Sequence, residues 1–133
     1  MASRTEPPFR ADHVGSLLRP KEVLKAREEH KQRKIDRAAL RKGEGAAIRD
    51  AVKMQEDIGL KSVTDGEFRR ASWHMDFLYQ VGGVTKISDN LKVQFKNEQE
   101  VIEFTPAALR VTGKLKLEKC IFGVDFKFLQ SAT

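Results

Sequence analysis

The chain has 133 residues, of which 40% are hydrophobic and 33% charged, and its formal net charge is +6. This composition is typical of a soluble globular protein and excludes a chain that is disordered throughout. The length allows one ordinary domain and excludes an assembly of several.

The positive charge is concentrated between Lys21 and Lys42, where Lys and Arg alternate with Glu and Asp. Alternating charges at helical spacing indicate a solvated helix face rather than a nucleic-acid surface. No RNP-like, zinc-finger or helix-turn-helix motif accompanies them, so a basic RNA-binding domain is the least favoured function. No apolar run approaches the roughly 20 residues of a membrane-spanning helix, so we expect neither a nucleic-acid nor a membrane partner.

The cysteine content and the N-terminal sequence indicate in which cellular compartment the protein is expected. Cys120 is the single cysteine, which excludes a disulfide framework, and we expect it to be buried as a small apolar residue. The first ten residues, MASRTEPPFR, contain no apolar core of a secretory signal. A cytoplasmic location is therefore expected.

The first elements in chain order are a flexible lead-in, a strand and a helix. Residues 1–8 are polar and end in two prolines, which predicts a flexible N-terminus. The stretch Phe9 to Leu18 predicts a strand that opens into a loop at Gly15-Ser16. Pro20 suits the first turn of a helix, which we expect to continue into the Lys31 to Lys34 region.

A second helix and strand follow. In GAAIRDAVKMQEDIGL, apolar residues recur at three- and four-residue intervals and predict a helix that packs on a sheet; they are Ala47, Ile48, Ala51, Val52, Met54 and Ile58. Gly59 is placed for a left-handed cap. Leu60 to Thr64 predicts a short strand, and Asp65-Gly66-Glu67 ends it with a turn. The order strand, helix, strand predicts a parallel sheet.

The remaining third of the chain has a different pattern. The segment ASWHMDFLYQVGGV predicts a short helix with Trp73 and Phe77 partly buried. Three pieces, LKVQFK, EVIEFT and LRVTGKLKL, alternate apolar and polar residues and predict an antiparallel excursion. The last segment, IFGVDFKFLQSAT, is compatible with helix or strand.

Several motifs together resemble one known family. RADHVGSLLRP, Q-x-x-x-G-L followed by SVTDGEFRR, then WHMDF and RVTGK, occur in this order within residues 9–133. They resemble the catalytic domain of cobalamin-independent methionine synthases, and most closely the short, single-domain members. The resemblance implies that residues 9–133 form an α/β domain, the first part of a (β/α)8 TIM barrel. A closed barrel needs about 200 residues or more, so we expect this chain not to close one.

The resemblance also implies an activity and residues for substrate binding. The family transfers a methyl group from a methylated folate to a thiol such as homocysteine, with zinc as cofactor. The match places the amino-acid substrate against Val14-Gly15-Ser16 and its ammonium group on Glu67. Backbone N–H groups at a Gly-Ser turn and a hydroxyl suit a carboxylate, and a glutamate suits an ammonium. Asp65 is a candidate for orienting the turn.

These residues also have plainer explanations. Asp-Gly-Glu is common turn chemistry, so Glu67 alone would be interpreted as a brace of the turn. For His13, lining the pocket and making a structural hydrogen bond are equally favoured.

No catalytic or metal-binding residue is predicted in this chain. In the resembling family the zinc ligands are His, Cys, Glu and Cys from later barrel strands, and Cys120 has no neighbour at metal-ligand spacing. We therefore expect no methyl transfer by the chain alone. An alternative function is a non-catalytic amino-acid-binding or interaction module, and exposed strand edges predict self-association. The thiol acceptor stays open, because related barrels also act on thiols such as coenzyme M.

Overall fold

The computed structural model describes residues 15–87, 92–96 and 101–133. Residues 1–8 and the predicted site residues His13 and Val14 lie outside the described residues. The chain divides into two compact units. The first contains the described residues up to Arg70 together with Val124–Thr133, and the second contains Ala71–Gly123. The elements are α1 (Lys21–Lys31), α2 (Arg37–Asp57), α3 (Met75–Leu78), β1 (Gly82–Ile87), β2 (Val93–Lys96), β3 (Val101–Phe104), β4 (Ala108–Lys116) and α4 (Gly123–Gln130).

Helix α1 confirms the first predicted helix. Pro20 is its N-cap residue, and the backbone carbonyl of Pro20 accepts bonds from the N–H groups of Val23 and Leu24. The helix ends at Lys31, within the predicted boundary. Val23 is its one buried residue among those described, so most of α1 is solvated, as the alternating charges predict.

Helix α2 confirms the second predicted helix but begins earlier than the apolar stripe indicates. Asp36 is the N-cap, and its carboxylate accepts a hydrogen bond of 2.7 Å from the backbone N–H of Ala39. This satisfies one of the amide groups that a helix N-terminus leaves without a partner. At the other end Gly59 has a φ of +84°, which is the left-handed conformation predicted for it.

The buried face of α2 differs in part from the predicted stripe. Ile48, Ala51 and Val52 are buried, and with Phe68 they form the core of the first unit. Met54 and Ile58, which we expected to belong to the stripe, are 45% and 66% exposed. At 100° per residue they lie away from the centre of this face, and polar residues occupy the buried positions at each end of it. The partly buried residues around the core are Leu17, Ala47, Val63, Phe128, Leu129 and Ala132.

The predicted parallel sheet is not seen within the described residues, and residues 9–14, most of its first predicted strand, lie outside them. Residues 60–64 form no strand, and neither do residues 15–18. The two described sheets are antiparallel two-stranded ribbons, β1 with β4 and β2 with β3, and no closed barrel is formed within the described ranges. The antiparallel excursion is thereby confirmed, whereas β1 was not predicted.

The second unit contains both ribbons and α3. Gly83, with φ +84°, lies at the irregularity between β1 and β4, where a Cβ would come within 2.6 Å of the Lys114 carbonyl oxygen. The short predicted helix is confirmed as α3, but Met75 is its buried residue. Trp73 is 70% exposed and Phe77 44% exposed, so the prediction that Trp73 is partly buried is wrong.

The last segment is the helix α4, which resolves the ambiguity between helix and strand. Phe128 and Leu129 of α4 pack against the core of the first unit. No helix in the described part of the chain has both the length and the apolar character needed to cross a membrane.

Candidate functional site

Two loops of the first unit lie side by side, and they carry the described site residues that the sequence predicts. The Thr64 hydroxyl donates a hydrogen bond of 2.7 Å to the Gly15 carbonyl. The backbone N–H of Leu17 donates to the Gly66 carbonyl at 3.1 Å. These bonds bring Gly15 and Ser16 next to the turn of residues 65–67.

The Asp65-Gly66-Glu67 turn is held by local hydrogen bonds. Asp65 is buried, and its carboxylate accepts a bond of 2.9 Å from the backbone N–H of Glu67. The N–H of Gly66 donates to the Thr64 hydroxyl at 3.1 Å. Gly66 has a φ of +64°, and a Cβ there would lie 2.7 Å from the Phe68 ring, so no other residue fits without displacement. Asp65 holds the turn, and its role toward substrate stays a prediction.

Gln55 of α2 anchors the start of this turn, and sequence reasoning missed it. It is 1% exposed. Its amide Nε2 donates to the carbonyls of Ala51 and Thr64, both at 2.9 Å, and its Oε1 accepts from the Thr64 N–H at 3.0 Å. The available signal was a polar residue at a buried helical position within the Q-x-x-x-G-L motif.

Two arginines hold the other end of the turn. The Arg19 guanidinium donates to the carbonyls of Glu67 at 3.3 Å and Arg70 at 2.9 Å. Arg27 of α1 donates to the carbonyls of Arg70 at 2.9 Å and Phe68 at 2.7 Å. Bonds from a charged donor are among the stronger hydrogen bonds in proteins. The backbone from Glu67 to Arg70 is therefore fixed from the side of α1.

The side chains at the junction offer complementary polar groups. Ser16 is exposed, and the Glu67 carboxylate is partly buried, 3.7 Å from the Arg70 guanidinium. A carboxylate at a partly exposed position can accept charge-assisted hydrogen bonds from an ammonium group. A hydroxyl at a neighbouring Gly-Ser turn can donate to a carboxylate. The pair suits a small molecule that carries both charges.

A second polar cluster surrounds Glu44 of α2. Its carboxylate lies 3.6 Å from Arg27 and 3.7 Å from Arg41, and Asp125 of α4 pairs with Arg41 at 3.0 Å and Arg69 at 2.9 Å. Burial raises the pKa of Glu44, and the neighbouring arginines oppose that effect. A cavity of about 170 Å³ opens beside this cluster. The network joins α1, α2 and α4, which is a structural role.

The zinc that the family resemblance implies needs a set of nearby ligand side chains. Within residues 15–87, 92–96 and 101–133, no three His, Cys, Asp or Glu side chains are close enough to hold a metal ion. Cys120 is exposed, so its predicted burial is wrong. The described residues therefore do not fit a zinc site.

Sequence comparison finds long relatives of the chain. No protein-family model matches it. It is 40% identical over 128 residues to the uncharacterized protein YxjG of Bacillus subtilis (strain 168), a match that covers 96% of the chain and 33% of YxjG. It is 41% identical over 122 residues to YxjH of the same organism, covering 92% of the chain and 31% of YxjH. The chain thus spans about a third of these relatives.

Structural comparison points to one group of enzymes. A Listeria monocytogenes protein assigned as a vitamin-B12-independent methionine synthase matches with a TM-score of 0.72 and 39% identity, over 94% of this chain and 32% of its own. A B12-independent methionine synthase from Shewanella sp. W3-18-1 matches with a TM-score of 0.54 and 25% identity, over 75% of this chain and 28% of its own. The structural neighbours of the chain are therefore proteins similar to B12-independent methionine synthases.

Proposed function

We propose that the chain belongs to the B12-independent methionine synthase family and forms part of a (β/α)8 barrel, in which its two joined loops bind the amino-acid substrate. The observation that carries the proposal is the pair of hydrogen bonds that joins residues 15–17 to residues 64–66, because Ser16 lies within the first segment and Glu67 directly follows the second. The likeness to the Listeria protein over 94% of the chain supports the family.

The proposed substrate class is an α-amino acid with a sulfur-containing side chain. Glu67 binds the α-ammonium group, and the Gly15-Ser16 turn, together with Val14, binds the α-carboxylate. The Shewanella protein was solved in complex with selenomethionine, which carries the same two charged groups as methionine and homocysteine. We propose homocysteine as the thiol that receives the methyl group, and methylated folate as its donor.

Recognition and methyl transfer are separable parts of this proposal. Zinc in the resembling family supplies a metal-bound thiolate, and the described residues provide no ligand set for it. We therefore expect the chain alone to bind homocysteine and to transfer no methyl group, and the alternative function is a non-catalytic amino-acid-binding or interaction module derived from the same barrel. Assay of the chain with methylated folate, homocysteine and zinc tests this expectation, and formation of methionine would contradict it.

Calorimetric titration with L-homocysteine and L-methionine tests recognition. We expect saturable binding by the wild-type chain, weakened in Glu67→Gln by about 1.5–3 kcal/mol, the usual contribution of a hydrogen bond to a charged group. Glu22→Gln is the matched control, because Glu22 is an exposed residue in the first turn of α1. Equal affinities in Glu67→Gln and wild type would contradict the role of Glu67.

A further inference from the structure

The contacts of Gln55 make it the link between α2 and both candidate loops. Its buried amide makes three hydrogen bonds: two as donor, to the carbonyls of Ala51 and Thr64, and one as acceptor, from the N–H of Thr64. A side-chain amide can donate through its nitrogen and accept through its oxygen at the same time. It thus satisfies both backbone groups of Thr64, which forms no strand.

Thr64, whose backbone is held by Gln55, is hydrogen-bonded in turn to both loops. Its hydroxyl donates to the Gly15 carbonyl at 2.7 Å and accepts from the Gly66 N–H at 3.1 Å. One loop carries Ser16 and the other carries Glu67, and neither of these side chains contacts Gln55 through a described hydrogen bond. A change at Gln55 therefore reaches the two side chains through the Thr64 backbone.

We propose that Gln55 is a positioning residue for amino-acid binding: its buried amide fixes Thr64, and through Thr64 sets the spacing between the Ser16 loop and the Glu67 turn. This inference rests on the proposed function of the two loops. A zwitterion needs its carboxylate and ammonium partners at one fixed separation, so loss of the amide lowers affinity although the binding side chains remain.

The test compares Gln55→Met, which keeps the length of the side chain and removes its hydrogen bonds, with Val23→Ala. Val23 is 2% exposed and lies on α1, so its truncation perturbs a buried site without touching Thr64 by any described hydrogen bond. Calorimetric titration of both variants with L-methionine is made at a temperature where circular dichroism shows each to be folded.

We expect Gln55→Met to bind L-methionine on the order of tenfold more weakly and Val23→Ala to bind as the wild type does. Hydrogen exchange without ligand gives the second readout: the amide of Thr64 loses protection in Gln55→Met and keeps it in Val23→Ala. If Gln55→Met fails to fold, Gln55→Glu replaces it, since it keeps the acceptor for the Thr64 N–H and loses the two donors. L-methionine should again bind more weakly, whereas the Thr64 amide should keep its protection.

The outcomes separate this inference from the proposed function. Failure of the wild-type chain to bind L-methionine or L-homocysteine overturns the proposed function. Binding by the wild type with equal affinity in the Gln55 variant overturns the positioning role alone. An equal loss of affinity in Val23→Ala also overturns it, because the effect would then follow from stability rather than from the amide.

Discussion

Glu67 has a backbone conformation that is costly for a residue with a side chain. Its φ is +58°, in the left-handed region, where residues other than glycine are uncommon. Such strain persists where surrounding contacts impose it, and here Asp65 and Arg19 hold the backbone of Glu67. Strained residues of this kind occur at binding sites, which agrees with the proposed role of the side chain.

Glu67→Gly should therefore raise the free energy of unfolding and weaken the binding of the proposed amino-acid substrate. Glycine adopts this φ without strain, so we expect the free energy of unfolding to rise by about 1 kcal/mol, measured by urea denaturation. Glu67→Gln keeps the strain and should unfold as the wild type does. A lower stability of Glu67→Gly than of Glu67→Gln would show that the backbone is not strained at this position.

Glu44 predicts a dependence of stability on pH. Burial raises its pKa in the folded protein above the ordinary value of 4.5, so the folded state holds the proton more tightly than the unfolded state. The stabilising contribution is complete below pH 4.5 and is lost as the pH rises through the raised folded pKa.

Urea unfolding of wild type and Glu44→Gln, in steps from acidic to neutral pH, measures this contribution. As the pH rises above about 4.5, the wild type should lose stability relative to Glu44→Gln. A constant difference between Glu44→Gln and wild type across this range would mean that the arginines fully offset the burial of the carboxylate.

At the scale of elements, the N-terminus of α2 depends on one side chain. Asp36 accepts the backbone N–H of Ala39, so Asp36→Ala should lower the free energy of unfolding by about 1 kcal/mol. Asp36→Ser is the control, because serine caps a helix about as well as aspartate. Thermal unfolding followed by circular dichroism should place Asp36→Ser near the wild type. Equal loss in both variants would argue against capping.

The sequence predicts the helices better than the strands, and Thr64 shows why. Helix α2 is specified by contacts within about four residues, so its apolar period and Gly59 suffice to predict it. A strand needs a distant partner for its backbone, and periodicity does not identify that partner. At Thr64 the partner is the amide of Gln55 rather than a neighbouring strand.

The candidate site shows the same division. Motif resemblance pointed to Gly15, Ser16, Asp65 and Glu67, which the structure places on adjacent loops. Gln55 was missed because its role depends on a hydrogen bond to a residue nine positions later. In the sequence alone, it cannot be told apart from a solvated polar residue of a helix. The binding roles themselves stay predictions until ligand is titrated.

At the scale of the whole molecule, exposed apolar side chains bear on how copies of the chain behave. All four residues of β3 are exposed, including Ile102 at 47% and Phe104 at 43%, and the ribbon of β2 and β3 has two strands. A two-stranded ribbon is marginally stable alone, and an exposed apolar strand is a surface for pairing with another chain. Self-association is therefore expected at high concentration.

Sedimentation velocity over a range of concentrations tests this expectation. We expect the wild-type chain to form larger species as concentration rises, and Ile102→Lys to remain closer to monomer, because a charged side chain on a strand opposes pairing with a second copy. Thr105→Lys adds the same charge at an exposed polar position just after β3 and should behave as the wild type does. A wild-type chain that stays monomeric throughout would show that these apolar side chains do not mediate association.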